Sequence, residues 1–276
     1  MKDLGLINYE GNCLTAVHQN GNILIKDQYG IIVTILNIEG LNLFLKGEID
    51  IKDSKGKSWN YLNESEEARA KKENIEKFLG SKKIESALIS VYDKDFSDEI
   101  VRHLASNDVT IYSTGGTAKF IKDLGINCVE VEDLTSFPEI LGGRVKTLHP
   151  KIFGGILSRS ENKNDVKELK KHNIPKIDLV IVDLYPFEET VEQFLNEIST
   201  FEDVVEKIDI GGVALIRAAA KNFSDVVVLC TKKEKQWFLD NEIKETNKLD
   251  RKRLAAVAFK KTKKYDKQIY RWLENF

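Results

Sequence analysis

From residue 84 to the C-terminus, continuous apolar runs alternate with helix-forming stretches, and this alternation constrains the fold more than any other feature of the chain. The runs are ALISVY (87–92), VTIYS (109–113), CVEV (128–131), DLVIVDLY (178–185) and DVVVLC (225–230). A strand that is apolar at every position has both faces covered, which is the signature of a parallel sheet packed between helices. The spacing predicts helices near 96–107, 116–124, 164–172, 187–198 and 211–222, with further helices to Phe276. The expected fold over 81–276 is therefore α/β, a three-layer αβα parallel sheet.

Residues 1–62 follow another rule. Gly11, Gly21, Gly30 and Gly40 punctuate short apolar runs about every ten residues, which reads as a small β-rich module. Residues 63–80 are rich in helix formers, with Asn63 or Ser65 available as N-cap and Gly80 as a stop, and are expected to form a helical linker. All four prolines (138, 150, 175, 186) fall in the second half. At about 150 residues per domain, 276 residues accommodate two such parts.

Composition excludes several functions. Forty-two basic against 44 acidic residues leave a formal charge of −2, whereas polynucleotide binders carry a basic excess, so no nucleic-acid partner is expected. Cys13, Cys128 and Cys230 are far apart and odd in number; they read as reduced, buried thiols, and neither they nor His18, His103, His149 and His172 show metal-ligand spacing. No metal site is expected. No apolar run approaches the roughly 18 residues of a membrane span, and the N-terminus lacks a signal-peptide core. The expected setting is cytoplasmic, without a membrane partner.

In an open parallel sheet, ligands bind outside the carboxyl ends of the strands. Three polar loops lie on that rim: Tyr92-Asp93-Lys94, Ser113-Thr114-Gly115-Gly116-Thr117, and Asp183-Leu184-Tyr185-Pro186. The Gly pair lets backbone approach a ligand, and the helix that follows offers unpaired N–H groups, a combination suited to a phosphate monoester. Hydroxyls of Ser113, Thr114 and Thr117 would add donors, and Lys94 a point charge. A strand–helix turn with a capping Thr is the bland alternative. Arg144 and Lys146 stand two apart in a Pro-bounded, Gly-rich segment, so an extended backbone would aim both to one side; solvent exposure is the commoner fate of either alone. His149 reads as a structural hydrogen-bonding residue. In DIGGVALIRAAAKN (209–222), Asp209 is placed to cap a helix beginning at Gly211. The Gly-Gly pair there is unusual unless backbone meets another group closely. Arg217 and Lys221 share a face, where desolvation and a cationic neighbour would prime a lysine for proton transfer; a solvated lysine on an alanine-packed helix is the other reading.

Together, SVYDK, STGGTAK, GGRVKTLHPKIFGGIL, DLVIVDLYPF and DIGGVALIRAAAKN resemble the IMP cyclohydrolase domain of the bifunctional purine-biosynthesis enzymes, in order and spacing, from about residue 84 onward. The resemblance implies a methylglyoxal-synthase-like fold and a ring closure that uses no cofactor, converting 5-formamidoimidazole-4-carboxamide ribotide to IMP and water. By motif position it implies that Lys146, Tyr185, Asp209 and Lys221 are catalytic. It places Ser90, Tyr92, Lys94, Thr114, Gly115, Gly116, Thr117, Arg144, Thr147, Asp183, Leu184, Ile210 and Gly211 around the ribotide. A methylglyoxal synthase-like enzyme and a non-catalytic purine-nucleotide sensor are the rival readings. A separate transformylase and a homodimer are the partners the resemblance suggests, and residues 1–80 are expected to be dispensable for the chemistry. Two positions depart from the family: Tyr92 stands where it has Ser, and Asp183 where it has Asn. Pairing of Asp183 with Arg144 or Lys146 is the expected compensation. A straight helix over 209–221 would put Asp209 and Lys221 about 18 Å apart.

Overall fold

The computed structural model describes residues 3–9, 12–19, 22–26, 32–36, 40, 51–52, 58–59, 81–94, 97–240 and 245–275. The chain divides into two compact units, Met1–Gly80 and Ser81–Phe276. In the first, β1 (Asp3–Tyr9), β2 (Asn12–Gln19), β3 (Asn22–Lys26) and β4 (Ile32–Leu36) form an antiparallel sheet in sequential order. Strands β5 (Ile51–Lys52) and β6 (Ser58–Trp59) form a separate antiparallel pair. The strands sit between the glycines that marked turns in the sequence, and Ile23, Leu24 and Ile25 of β3 are all buried. The helical linker expected over 63–80 lies outside the described residues.

The second unit opens with β7 (Lys82–Lys83) and β8 (Ser86–Ser90), followed by α1 (Ser97–Ser106), β9 (Thr110–Ser113), α2 (Gly115–Asp123) and β10 (Val129–Glu130). Three helices follow, α3 (Val131–Thr135), α4 (Pro150–Leu157) and α5 (Lys163–Lys171), and then β11 (Leu179–Val182). Next come α6 (Phe187–Leu195), α7 (Phe201–Glu206), α8 (Gly211–Lys221), β12 (Val227–Leu229), α9 (Lys232–Asp240), β13 (Glu245–Thr246) and the 27-residue α10 (Lys248–Glu274). The main sheet has the order β10-β9-β8-β11-β12, parallel throughout. Chain order runs outward from β8 in both directions, so the topological switch point is at the centre of the sheet, beside β8. Strands β11 and β12 are buried at every position, as are Ala87, Leu88 and Ile89, which is why these runs lack alternation. Among the described residues no helix is long and apolar enough to cross a membrane.

Local chemistry explains where the sequence reading was incomplete. The CVEV run contributes only two residues of edge strand before Val131 starts a helix. The segment 137–150, read as irregular, leads into α4, which has Pro150 in its first turn and His149 as N-cap; the imidazole Nδ1 accepts from the Lys151 N–H at 3.1 Å. Helix α7 is started by a reciprocal capping box between Thr200 and Asp203. Cys230 is buried, which pushes its thiol up to about 12, while Cys128 is only half-buried, contrary to the expectation for all three thiols; Cys13 falls in a strand whose side chains are outside the described set.

Helix α4 tolerates Gly154-Gly155 because the chain after α5 crosses it closely. A Cβ at Gly155 would stand 2.4 Å from the Pro175 carbonyl oxygen and 3.2 Å from Ile177. A backbone oxygen cannot yield as a side chain can. Gly155→Ala is therefore expected to destabilise by about 1–3 kcal/mol, read as a fall of several degrees in Tm by calorimetry; an unchanged Tm would contradict this packing.

Candidate active site

The three loops after β8, β9 and β11 meet around one cavity of about 810 Å³, closed on its far side by 139–147 and by 205–215. Its size suits a nucleotide-scale ligand. Ser90, Tyr92, Lys94, Thr114, Gly115, Gly116 and Thr117 line one part of it. Gly115 has φ +41, and a Cβ there would stand 3.0 Å from Lys146 Nζ; the turn needs glycine both for its backbone and for the lysine that passes it. The Ser113 hydroxyl, expected to face a ligand, instead donates to the Ile89 carbonyl at 2.8 Å and is fully buried. Thr117 Oγ1 donates to the Val91 carbonyl at 3.0 Å and accepts from Lys94 Nζ at 3.3 Å, tying the β8 loop to the start of α2. Burial holds the Lys94 ammonium below its ordinary pKa; the nearby Lys235 acts in the same direction, and Asp183 and Asp93 oppose it.

Arg144, Lys146 and Thr147 line the opposite side. They are not presented from an extended strand. A 3₁₀ turn at Leu141–Gly143, with Gly142 at φ 63 and Gly143 at φ 87, leads into a helical Arg144. The two cations consequently part company. Arg144 pairs with Glu206 at the exposed rim, while Lys146 is bound by Glu132 at 2.6 Å and Glu139 at 2.5 Å. Burial alone would pull the Lys146 pKa down, but its two glutamates outweigh it and hold the pKa above the ordinary value. Lys146 is a fixed positive charge.

The third group comes from α8 and the loops before it. Asp209 Oδ1 accepts the Gly212 N–H at 2.7 Å, although the N-cap position itself falls to Ile210, one residue later than the sequence suggested. A Cβ on Gly212 would stand 2.4 Å from Oδ2, and one on Gly211 would stand 3.0 Å from Thr147 Oγ1. The Gly-Gly pair is thus explained by a carboxylate folded over one residue and a hydroxyl against the other. Burial, reinforced by the charge of Asp183, raises the Asp209 pKa against the Gly212 hydrogen bond. Tyr185 also lines the cavity; burial, then Asp209 and Tyr92, raise its phenol pKa. The Tyr92 and Tyr185 rings meet edge-to-face at 5.5 Å, with Lys207 Nζ 5.5 and 5.3 Å from their centroids. Ile210 and Gly211 complete the lining.

Two residues expected in the site lie outside the cavity lining, and one expected pairing is not formed. Leu184 is buried and does not line the cavity. Lys221 is the exposed last residue of α8, ten residues beyond Gly211 and so about 15 Å along the axis; it is not among the cavity residues. The next residue, Asn222, is structural, its amide donating to the carbonyls of Ile156 and Ser158 at 2.8 Å each. Asp183 pairs with neither Arg144 nor Lys146. It accepts from the Tyr92 and Asp93 N–H groups and from Lys235 Nζ.

Residues 98–214 match the family described as MGS-like domain, and residues 219–276 match the AICARFT/IMPCHase bienzyme family. An MGS-like domain is thus followed directly by a segment similar to the AICARFT/IMPCHase bienzyme family. The chain is 49% identical over 197 residues to the bifunctional purine biosynthesis protein PurH of Bacteroides thetaiotaomicron, covering 70% of this chain and 38% of that one. It is 47% identical over 195 residues to PurH of Bradyrhizobium diazoefficiens, covering 69% and 36%. The chain thus spans less than two-fifths of the length of these curated relatives. Among solved structures it is similar to ForH, at 30% identity and a TM-score of 0.56, covering 68% of this chain and 97% of that one.

Three residues that the sequence motifs do not mark also shape the cavity. Glu132 and Glu139 hold Lys146 from 14 and 7 residues away in sequence. Tyr265, on α10, accepts the Asp209 N–H at 2.9 Å and donates to the Lys207 carbonyl, so it fixes the loop that carries Asp209. Burial pushes the Tyr265 phenol up to about 12, so it remains a donor at neutral pH. Nothing local in KKYDKQ signals that role.

Proposed function

We propose that the chain is an IMP cyclohydrolase that closes 5-formamidoimidazole-4-carboxamide ribotide to IMP and water. The supporting observation is convergence: Lys146, Tyr185 and Asp209 line the same cavity as the Gly115–Thr117 turn and Lys94. The turn and Lys94 would take the ribotide phosphate at the start of α2. The base would then lie toward Arg144, Lys146 and Thr147.

The carboxamide nitrogen is a weak nucleophile, and the formyl group must be rotated toward it, so holding that conformer supplies much of the rate. As the nitrogen attacks the formyl carbon, a C–N bond forms and the formyl oxygen gains negative charge, which the Lys146 ammonium stabilises. The half-buried Asp209 carboxylate is the stronger base for its raised pKa, and accepts the proton that the nitrogen loses. Asp209 returns that proton to the oxygen and Tyr185, protonated at neutral pH, donates the second, so that the oxygen departs as water while the formamido nitrogen gives its own proton to the tyrosinate and the C=N bond of the closed ring forms. Lys221 has no part in this assignment. The match of 219–276 to the bienzyme family favours this reading over a methylglyoxal synthase. The formylated ribotide would come from a transformylase reaction, the other activity in the family's printed name.

The direct test is an absorbance assay for IMP formation from synthetic formamido-ribotide. Binding gives an independent check: by calorimetry IMP should bind at least tenfold more tightly than inosine, because the turn and Lys94 contact only the phosphate. Equal affinities would remove the phosphate assignment.

A further inference from the structure

Helix α9 lies outside the cavity lining, yet it sends one buried cation toward the site. Lys235 is 2% exposed. Among the described residues its ammonium is paired with a single carboxylate, Asp183, at 3.4 Å. Asp183 does line the cavity. Its Oδ1 accepts the Tyr92 N–H and its Oδ2 accepts the Asp93 N–H at 3.3 Å as well as the lysine. Both oxygens are therefore engaged by donors, two from the β8 loop and one from α9. That loop carries Lys94, whose ammonium senses Asp183 and Lys235 with opposite sign.

A carboxylate in the wall of a cavity that takes an anion opposes binding unless its charge is cancelled. A buried ammonium is equally costly without a partner. Each group answers the other's problem, and the β8 loop is fastened as a result. We propose that Lys235 is a positioning residue of this site: it neutralises Asp183 and keeps that carboxylate committed to the Tyr92–Lys94 loop, so that Lys94 faces the ligand's phosphate with net positive charge. This inference rests on the reading of the cavity as a phosphorylated-ligand site and adds a specificity role for a residue that touches no ligand.

The pair is testable by a thermodynamic cycle on the full chain with Lys235→Met, Asp183→Asn and the double variant. Lys235→Met leaves an uncancelled carboxylate, so IMP affinity should fall at least tenfold, or 1.4 kcal/mol, with inosine affinity changed less than twofold. In turnover the loss should appear in KM, with kcat within about threefold. Asp183→Asn strands the buried ammonium and should lower Tm by several degrees. The double variant should recover both Tm and most of the IMP affinity, because the two remaining groups are neutral. A merely structural lysine would lower Tm while leaving the IMP-to-inosine ratio intact, and that result overturns the inference, as does a double variant no better than either single one. Wild-type protein that closes the ring while Lys235→Met binds IMP normally sinks the inference alone. Wild-type protein that neither binds IMP nor closes the ring sinks the functional reading instead; the same cycle is then read with inorganic phosphate, where a loss in Lys235→Met reversed by Asp183→Asn supports the positioning role and its absence overturns it.

Discussion

Replacing Asp209 by Asn is expected to remove nearly all ring closure while making the folded protein more heat-stable at neutral pH. The two effects have one origin. Burial raises the pKa of this carboxyl in the folded state, so the fold binds its proton more tightly than the unfolded chain does. By linkage, the corresponding stability is fully present below the unfolded pKa and is lost as pH rises through the folded one. Above the folded pKa that loss is complete, and the protein carries the cost of a partly desolvated, ionised carboxylate. The amide carries no such cost and can still accept the Gly212 N–H. It cannot accept a proton, and losing a general base of this kind lowers kcat by about 10²–10⁴. The wild-type rate should accordingly rise with pH through an acid limb lying above the ordinary aspartate pKa, and the variant should lack that limb. Comparison of Tm and kcat at pH 7 decides the matter: a less stable variant, or one with near-normal kcat, contradicts the assignment.

Lys146→Ala is the second large effect, a fall in kcat of about 10²–10³ with the fold retained, the size associated with removing one oxyanion-stabilising group. The lysine is held between Glu132 and Glu139 and passes close over Gly115. Truncation removes the cation and leaves two carboxylates facing an anionic ligand, so KM should rise as well. Single-turnover measurements separate the chemical step from binding. Retention of near-wild-type single-turnover rates would exclude Lys146 from the chemistry.

The sheet and the phosphate-type turn were legible in the sequence because each rests on local chemistry. A five-residue apolar run needs cover on both faces, and a Gly pair before a helix is a local device. The helix after Pro150 was hidden by its glycines, whose reason is the carbonyl of Pro175 twenty residues away. The partition of Arg144 and Lys146 between separate acids was hidden by a turn whose positive-φ glycines end the extended backbone that the i,i+2 argument assumed. Asp183 shows the same limit: motif spacing suggested its nearest cations, but its actual partner is 52 residues downstream, on a helix with no site motif of its own. Lys221 was placed by motif alone, and it lies beyond the lining of the cavity, six residues after Leu215 on α8.

The hydroxyl of Tyr265 has a consequence for modularity. The match to the MGS-like domain ends at residue 214, whereas Tyr265 lies in the segment matched to the bienzyme family. Yet that hydroxyl bridges Lys207 and Asp209, and the compact unit runs without a break from Ser81 to Phe276. The boundary between the two family matches is thus a seam in description and not in matter. A recombination or engineered junction placed at that seam would inherit the cavity wall without the strut that aligns its acid. The smallest transferable piece of this site extends into α10.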